Sequence, residues 1–331
     1  MSKNKSKRKY FVRILLILIL FIILNNCNFV TDKSKKNISL LAHRGLGQTF
    51  EIENAKWNTN TAKIIYPPEH FYIENTIPSI KAAFNYGADM VEFDIRVTRD
   101  KKLVVFHDYI IDFRTNGHGK VSDFTLKELQ KLDVGYGYTH DEGKSYPLRG
   151  KGVGLMTSIE DIFKNFKGKA FLIHIKDSGN EIGELLLMEL SLLSTGDLEN
   201  ISIYGNDQAI KTIKKRYPQV KTFSKKIIKK ALISYELIGW SGYIPENIKN
   251  VQLHLPIQYA KFLWGWPEKF LERMKSVNTK VFLVNMKGKW SGGFDNENDL
   301  ALIPGGYSGY VWTNRIDTIS SSVKKNYIKK K

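Results

Sequence analysis

Nine apolar runs of strand length recur along the chain, each bounded by polar or turn-forming residues. Runs of four to eight such residues predict buried β-strands. The predicted strands cover residues 38–43, 90–97, 103–107, 170–175, 201–204, 220–223, 251–255, 280–286 and 310–313.

Between several of these runs lie segments with apolar residues three and four positions apart, a spacing typical of amphipathic helices. The first segment ends on Gly87, which suits a C-cap, and the second begins on Thr125 with Glu128 three positions later, as in a capping box. The predicted helices cover residues 77–87, 125–133, 182–193, 208–217 and 268–277.

Strands that alternate with helices predict parallel strands joined by helical crossovers. Eight or nine such strands in one unit of this size predict a closed α/β barrel of TIM type, a (β/α)8 barrel. Two features interrupt the alternation: residues 96–102 are too few for a helix, and residues 46–73 form a long insert after the first strand.

Residues 1–26 predict a signal peptide. A cluster of basic residues precedes the unbroken apolar run Ile14–Leu24. Eleven residues are too few to span a bilayer as a helix but suit the apolar region of a signal peptide, so we expect export. If Phe11 and Val12 are counted in and Arg13 snorkels, an uncleaved anchor is the alternative.

The only cysteine, Cys27, follows this run directly. Its position resembles a bacterial lipobox, in which the cysteine becomes the lipidated first residue of the mature protein. Leu24 fits the pattern, whereas Asn26 departs from the usual small residue at the cleavage site. A chance free thiol is the alternative. We expect a lipid-anchored tether at residues 27–37, a barrel at 38–318 and a basic tail at 319–331, in a membrane-anchored protein of the periplasm or cell surface.

The charge of the chain favours anionic partners. The formal net charge is +18, and residues 1–26 hold six bases and no acid, which leaves +12 for residues 27–331. Excess positive charge suits phosphorylated substrates, anionic lipid headgroups or nucleic acid. The sequence contains no nucleic-acid recognition motif, and export argues against nucleic acid as a partner.

Two carboxylates interrupt the apolar run at residues 90–97. Glu92 and Asp94 are two positions apart, so their side chains share one face of the strand, and together they can bind a hard divalent cation. His43 and His107 end other apolar runs. Because the C-terminal ends of barrel strands meet around one rim, we expect these four side chains and Arg44 to lie together there.

The segments LAHRG (41–45), residues 74–108, residues 115–133 and YVWTNRIDTI (310–319) resemble the glycerophosphodiester phosphodiesterase family. The resemblance implies a TIM barrel that uses a divalent metal, commonly Ca²⁺ or Mg²⁺, to hydrolyse glycerophosphodiesters to glycerol 3-phosphate and an alcohol. By the same resemblance, His43 and His107 are the catalytic histidines and Glu92 and Asp94 are metal ligands.

Further residues follow from the resemblance. Arg44 and Lys176 match positions placed for the substrate phosphate. Glu74 is assigned to the metal shell or to a substrate hydroxyl, with a first-turn acid favoured by the helix dipole as the alternative. His174 stands where the family usually has a third carboxylate ligand. Imidazole suits Mn²⁺ or Zn²⁺ better than Ca²⁺, so the ion is unusual, or it has fewer protein ligands, or His174 binds substrate.

Two other departures from the family pattern are the insert at residues 46–73, which we expect to roof the site, and the strand at 281–289, which lacks the tryptophan often found there. Trp264 and Trp266 are candidate replacements, although ordinary packing explains them equally well.

Two other functions remain open at this point. One is hydrolysis of lysophospholipids or sphingolipids in the manner of a phospholipase D, since such relatives share the metal, the histidines and the barrel. The other is a surface lipoprotein that binds ligand without turnover, for which the His174 departure is the only support.

The position of Cys27 generates a testable prediction. If Cys27 is lipidated, the wild-type protein will fractionate with membranes, whereas Cys27→Ser will be soluble when the leader is still cleaved. Fractionation followed by immunoblotting measures this. A Cys27→Ser variant that is processed and retained like the wild type excludes anchoring through this residue.

Overall fold

A computed structural model describes residues 2–27, 38–53, 55–56, 58–287 and 290–327 of the chain. Ten strands lie within these residues. Their bounds are β1 Ser39–Ala42, β2 Met90–Val97, β3 Leu103–Val105, β4 Phe171–Ile175, β5 Ile201–Gly205, β6 Lys221–Phe223, β7 Gln252–Pro256, β8 Lys280–Lys287, β9 Trp290–Gly292 and β10 Tyr310–Thr313.

Eight of these strands form a parallel sheet, which confirms the predicted TIM-type barrel. The strands follow the order β6-β5-β4-β2-β1-β10-β8-β7. A parallel bridge between Thr222 of β6 and Val251, just before β7, brings the two ends of the sheet together. Closure satisfies backbone groups that the edge strands of an open sheet would leave exposed.

The third apolar run does not form a barrel strand, and here the structure corrects the sequence analysis. β3 pairs antiparallel with β2, with Ile95 opposite Val105, so the two strands form a hairpin across residues 98–102. The chain returns toward the site along β3, and the N–H of Phe106 donates to the carbonyl of Asp94. His107 therefore reaches the site from a hairpin rather than from the end of a barrel strand.

All five predicted helices are present, although the one at residues 125–133 is only one turn long. The remaining helices were not predicted as such. The bounds are α1 Ser2–Asn26, α2 Ile77–Tyr86, α3 Leu126–Leu129, α4 Ile159–Asn165, α5 Glu181–Ser191, α6 Thr195–Glu199, α7 Asp207–Arg216, α8 Lys225–Ile238, α9 Ile257–Ala260, α10 Glu268–Ser276, α11 Glu297–Ala301 and α12 Ile316–Tyr327.

The predicted caps are formed at two of these helices. Thr76 and Ser79 make a capping box at the start of α2 that was not predicted, and Gly87 ends this helix as predicted, with φ of +100°. That left-handed conformation costs glycine little, because it has no Cβ. Thr125 and Glu128 make the same box at α3.

The helix α1 protrudes from the barrel. Residues 6–26 are long and apolar enough to cross a membrane by length and composition, a property that signal sequences share. The barrel contacts the end of α1, where Arg273 donates from Nη2 to the carbonyl of Asn25 at 2.7 Å. The predicted tether lies, apart from Cys27, at residues 28–37, outside the described residues.

Side chains alternate between two cores along β2. Val91, Phe93 and Ile95 pack outward into the main core between the barrel and its helices. Met90 points inward with residues such as Leu172 and Phe282, which fill the barrel interior. Glu92 and Asp94 keep the inward phase of Met90, so the strand alternation places both carboxylates inside the barrel.

The outward core generates a prediction about stability. Phe93 is fully buried, and its ring centroid lies 5.4 Å from that of Phe171. Phe93→Ala should lower the free energy of unfolding by about 3–5 kcal/mol through lost burial and a residual cavity. Denaturant unfolding measures this, with Phe262→Ala, at a residue that is 67% exposed, as the control. Equal losses in the two variants would contradict the assignment of Phe93 to the core.

Candidate active site

The centre of the site is a pair of fully buried carboxylates, Glu92 and Asp94 on β2. His174 on the adjacent strand β4 lies in register with Asp94. Its Nδ1 is 2.8 Å from Asp94 Oδ1 and 3.7 Å from Glu92 Oε1. One ligand atom from each of the three residues lies within 4.8 Å of the others, so together they could hold a metal ion.

The two carboxylates differ in charge. Burial and the neighbouring Asp94 raise the pKa of Glu92 to about 8. Burial alone would raise the pKa of Asp94 too, but Arg44 in particular holds it well below its ordinary value. Asp94 is therefore ionised at neutral pH, whereas Glu92 is ionised only in part. A divalent cation between the two groups would favour ionisation of both.

Two arginines contact the Glu74 carboxylate, and one of them also lies beside one carboxylate oxygen of Asp94. Arg44 donates from Nη1 to Glu74 Oε1 at 2.7 Å, and its Nε lies 3.2 Å from Asp94 Oδ2. Arg114 Nη1 lies 3.4 Å from the other Glu74 oxygen. Glu74 thus lies outside the three-residue metal group and pairs with arginines, while Asn75 donates to Asp94 at 3.0 Å.

His107 is held by a carboxylate on one nitrogen and a lysine on the other. Its Nδ1 lies 2.6 Å from Asp108 Oδ1, and Arg114 donates from Nε to Asp108 Oδ2 at 2.7 Å. On the opposite side of the ring, Nε2 lies 3.0 Å from Lys176 Nζ. An ammonium group only donates, so this network assigns the lone pair to Nε2 and the proton to Nδ1.

His43 has a neutral partner instead. Its Nδ1 lies 2.7 Å from Asn314 Oδ1, and Asn314 donates from Nδ2 to Asp295 at 2.9 Å. That chain fixes the Asn314 amide so that its oxygen faces the histidine, which leaves the His43 lone pair on Nε2. Nε2 lies 3.8 Å from Glu92 Oε2, and the ring packs against Trp312 at a centroid distance of 4.7 Å.

Both histidines are neutral near pH 7. Burial lowers the pKa of His107 to about 4, with Arg44 as the next cause. Burial and Arg44 hold the pKa of His43 well below its ordinary value. Each ring therefore presents one lone pair for a proton transfer at neutral pH.

A cavity of about 1440 Å³ lies at the C-terminal ends of the strands. The site residues that line it are His43, Arg44, Glu74, His107, His174 and Lys176. Residues 47–53 of the predicted insert, together with Tyr66 and Glu69, form part of its wall, so the insert lies where we expected a roof. Another part of the wall is formed by residues 223–226, 228 and 229, from the end of β6 and the start of α8, and lies across the barrel from β1.

The aromatic residues at the site are not the predicted ones. Trp264 and Trp266 pack against the main core rather than lining the cavity. The cavity is lined instead by Tyr204, Phe223 and Trp312, from β5, β6 and β10. The structure therefore supports ordinary packing as the explanation for Trp264 and Trp266.

Several contributors were missed in the sequence. Asn314, directly after β10, and Tyr204, on β5, contact predicted site residues through strand pairing that only the fold reveals. The sequence held a weak indication of Arg114, because this residue lies between the predicted site residue His107 and residues 115–133, which carried the family resemblance. Asn314 likewise lies within YVWTNRIDTI, which carried the family resemblance.

The profile of the glycerophosphoryl diester phosphodiesterase family matches residues 43–231 of this chain. That range contains both histidines and the whole group of Glu92, Asp94 and His174. The chain belongs to this family.

The chain is also similar to two curated relatives and to one solved structure. A glycerophosphodiester phosphodiesterase of Caldanaerobacter subterraneus subsp. tengcongensis is 32% identical over 154 residues, which are 45% of this chain and 59% of that protein. A human lysophospholipase D is 27% identical over 139 residues, 40% of this chain and 41% of that protein. The matches thus span less than two thirds of these relatives.

The solved structure is that of an Oleispira antarctica phosphodiesterase in complex with its product sn-glycerol-3-phosphate. It superposes with a TM-score of 0.55 at 17% identity and covers 86% of this chain and 96% of that one. At this identity the likeness supports the barrel fold.

His254, which lies on β7 and lines the cavity, generates a prediction about pH. Burial lowers the pKa of His254 to about 3, against an ordinary value of 6.5. Between these values the unfolded chain binds more protons at this position than the folded chain, so stability falls as the pH falls. His254→Phe should remove a slope of up to about 1.4 kcal/mol per pH unit below pH 6.5.

Urea unfolding at several pH values from 4.5 to 7.5 measures this slope. His118→Gln is the matched control, because the His118 side chain is 86% exposed. If the His254→Phe and wild-type curves run parallel across this range, His254 does not titrate with a depressed pKa.

Proposed function

We propose that this protein hydrolyses glycerophosphodiesters to glycerol 3-phosphate and an alcohol. The observation that carries the proposal is the placement of two neutral histidines beside one buried carboxylate pair, with the Nε2 of His43 3.8 Å from Glu92 and Lys176 3.0 Å from the Nε2 of His107. Family membership supports the same reaction.

Hydrolysis needs a base for the attacking oxygen and an acid for the departing alcohol. The partners of the two histidines favour a division of these roles. Asp108 on Nδ1 of His107 stabilises an imidazolium better than the neutral amide of Asn314 does on His43. His43 is therefore the proposed base, which accepts a proton from water or a glycerol hydroxyl. His107 is the proposed acid: beside the anionic phosphodiester its Nε2 takes up a proton from solvent, and it passes that proton to the departing alcohol.

Glu92, Asp94 and His174 are the residues that would hold one divalent metal ion. These three groups suit a divalent cation, because two buried carboxylates face one imidazole and the neighbouring residues offset the negative charge of the carboxylates only in part. When bound, the ion would neutralise a phosphoryl oxygen as a Lewis acid. Ca²⁺ and Mg²⁺ are the ions common in the family, whereas the nitrogen ligand favours Mn²⁺ or Zn²⁺.

Lys176 and Arg44 are the proposed phosphate-binding residues. Lys176 is placed between His107 and Asp94, with its Nζ 3.0 Å from the histidine Nε2 and 3.8 Å from Asp94 Oδ1. Arg44 carries its guanidinium on Glu74 and Asp94, so it contributes positive charge beside the phosphate without releasing those carboxylates.

We further propose that the protein is exported and membrane-associated, through lipidated Cys27 or through α1. The apolar span at residues 6–26 supports both routes. Hydrolysis of lysophospholipids is the second candidate function. Similarity to a human lysophospholipase D and the size of the cavity, about 1440 Å³, favour it, since the cavity leaves room beyond a glycerophosphodiester.

The test uses purified protein with glycerophosphocholine, lysophosphatidylcholine and glyceryl p-nitrophenyl phosphate, each with Ca²⁺, Mg²⁺, Mn²⁺ or EDTA. We expect turnover of glycerophosphocholine that EDTA abolishes. His43→Ala should lose roughly 10²–10⁴-fold on both glycerol diesters, because the attacking oxygen needs its base in each. His107→Ala should be far less impaired on the p-nitrophenyl ester, whose leaving group needs no proton.

His118→Ala is the matched control, since its exposed imidazole lies apart from the histidines of the site, and it should keep wild-type rates. Full activity in EDTA would exclude the metal. Turnover of lysophosphatidylcholine alone would establish the second candidate, and binding of either compound without turnover would leave a binding protein.

A further inference from the structure

A row of four side chains crosses the inside of the barrel at one level. Asp94 pairs in register with His174, His174 with Tyr204, and Tyr204 with Phe223 on the strands β2, β4, β5 and β6. Neighbours in register on parallel strands point to the same face, so all four side chains project into the barrel.

Three of these side chains form a continuous stack. The rings of His174 and Tyr204 are 4.0 Å apart with an interplanar angle of 13°, and those of Tyr204 and Phe223 are 5.3 Å apart at 3°. The imidazole thus lies flat against a phenol ring that is itself backed by a third ring. This packing fixes the plane of the imidazole.

Tyr204 also bonds to a second member of the metal group. Its hydroxyl donates to Glu92 Oε1 at 2.7 Å. Burial and the negative charges of Glu92 and Asp94 hold the pKa of Tyr204 well above its ordinary value, so the hydroxyl keeps its proton. One side chain therefore contacts two of the three candidate ligands, through its ring face and through its hydroxyl.

We propose that Tyr204 is a positioning residue that orients His174 and Glu92 for the metal ion, with Phe223 as the backing of its ring. The inference rests on the metal site of the proposed function. A carboxylate can bind a cation over a wide range of directions, whereas an imidazole nitrogen binds only along its lone pair in the ring plane. A histidine ligand therefore requires a fixed ring plane, and the stack provides one.

This role differs from ordinary packing in what it predicts. Residues that orient metal ligands typically change metal affinity or activity by about 10–100-fold when they are altered. A residue that only fills space changes stability but leaves the affinity and the ligand geometry of the folded protein unchanged.

The experiment measures metal binding rather than turnover. Full-length protein is titrated with Mn²⁺, and free Mn²⁺ is followed by electron paramagnetic resonance; the visible spectrum with Co²⁺ reports the ligand geometry. Tyr204→Phe keeps the ring and removes the hydroxyl, so we expect the Kd for Mn²⁺ to rise by about 10-fold. Tyr204→Leu removes both contacts and should raise it by about 100-fold and alter the Co²⁺ spectrum.

Tyr310→Phe is the matched control, because Tyr310 stacks on Phe282 at 4.8 Å elsewhere in the barrel. It should bind both ions like the wild type. Circular dichroism and thermal unfolding establish that each variant is folded, and the milder Tyr204→Phe change keeps the test valid if Tyr204→Leu does not fold.

The outcomes separate this inference from the proposed function. Folded Tyr204 variants with wild-type Kd and Co²⁺ spectrum would overturn the role of Tyr204 and leave the hydrolase proposal standing. Wild-type protein that binds the ions but hydrolyses no diester would overturn the proposed function alone. Wild-type protein that binds neither ion would overturn the inference as well, because no ligand would need positioning.

Discussion

The structure depends on the burial of two acidic side chains inside a barrel. Carboxylates removed from water are costly unless charge or hydrogen bonds compensate them. Glu92 and Asp94 are 0% exposed, and the surrounding residues supply the compensation from three directions. Arg44 comes from the end of β1, His174 from β4 and the Tyr204 hydroxyl from β5. The polar residues at this end of the barrel therefore share one role, which is to offset the cost of burying these two carboxylates.

The need to compensate these buried charges also explains the series of side-chain ion pairs that extends outward from the site. Arg44 is drawn toward Asp94, and Glu74 is drawn toward both Arg44 and Arg114. Arg114 in turn holds Asp108, which holds His107. A substitution anywhere along this series changes the charge balance of its neighbours, so the members will not behave additively. The hydrogen bond between Arg114 and the Tyr138 hydroxyl ends the series in an apolar cluster under the β2–β3 hairpin.

Much of this arrangement could be predicted from local sequence. The run at residues 90–97 matches β2 in full, and the two-residue spacing of Glu92 and Asp94 was sufficient to place them on one face. The same reasoning mistook β3 for a barrel strand, since an apolar run carries no information about strand direction. Tyr204 and Asn314 could not be predicted, because their contacts depend on strand register between segments that lie 112 and 271 residues from their partners.

The separation of His43 from Asn314 has a consequence for synthesis of the protein. His43 follows β1, the first barrel strand to leave the ribosome, while Asn314 follows the last, β10, which pairs directly with β1. A nascent chain that lacks β10 has neither the second neighbour of β1 nor the amide that orients the imidazole. The arrangement of the site is therefore completed late in translation, when β10 pairs with β1, and a chain that ends before β10 lacks both contacts.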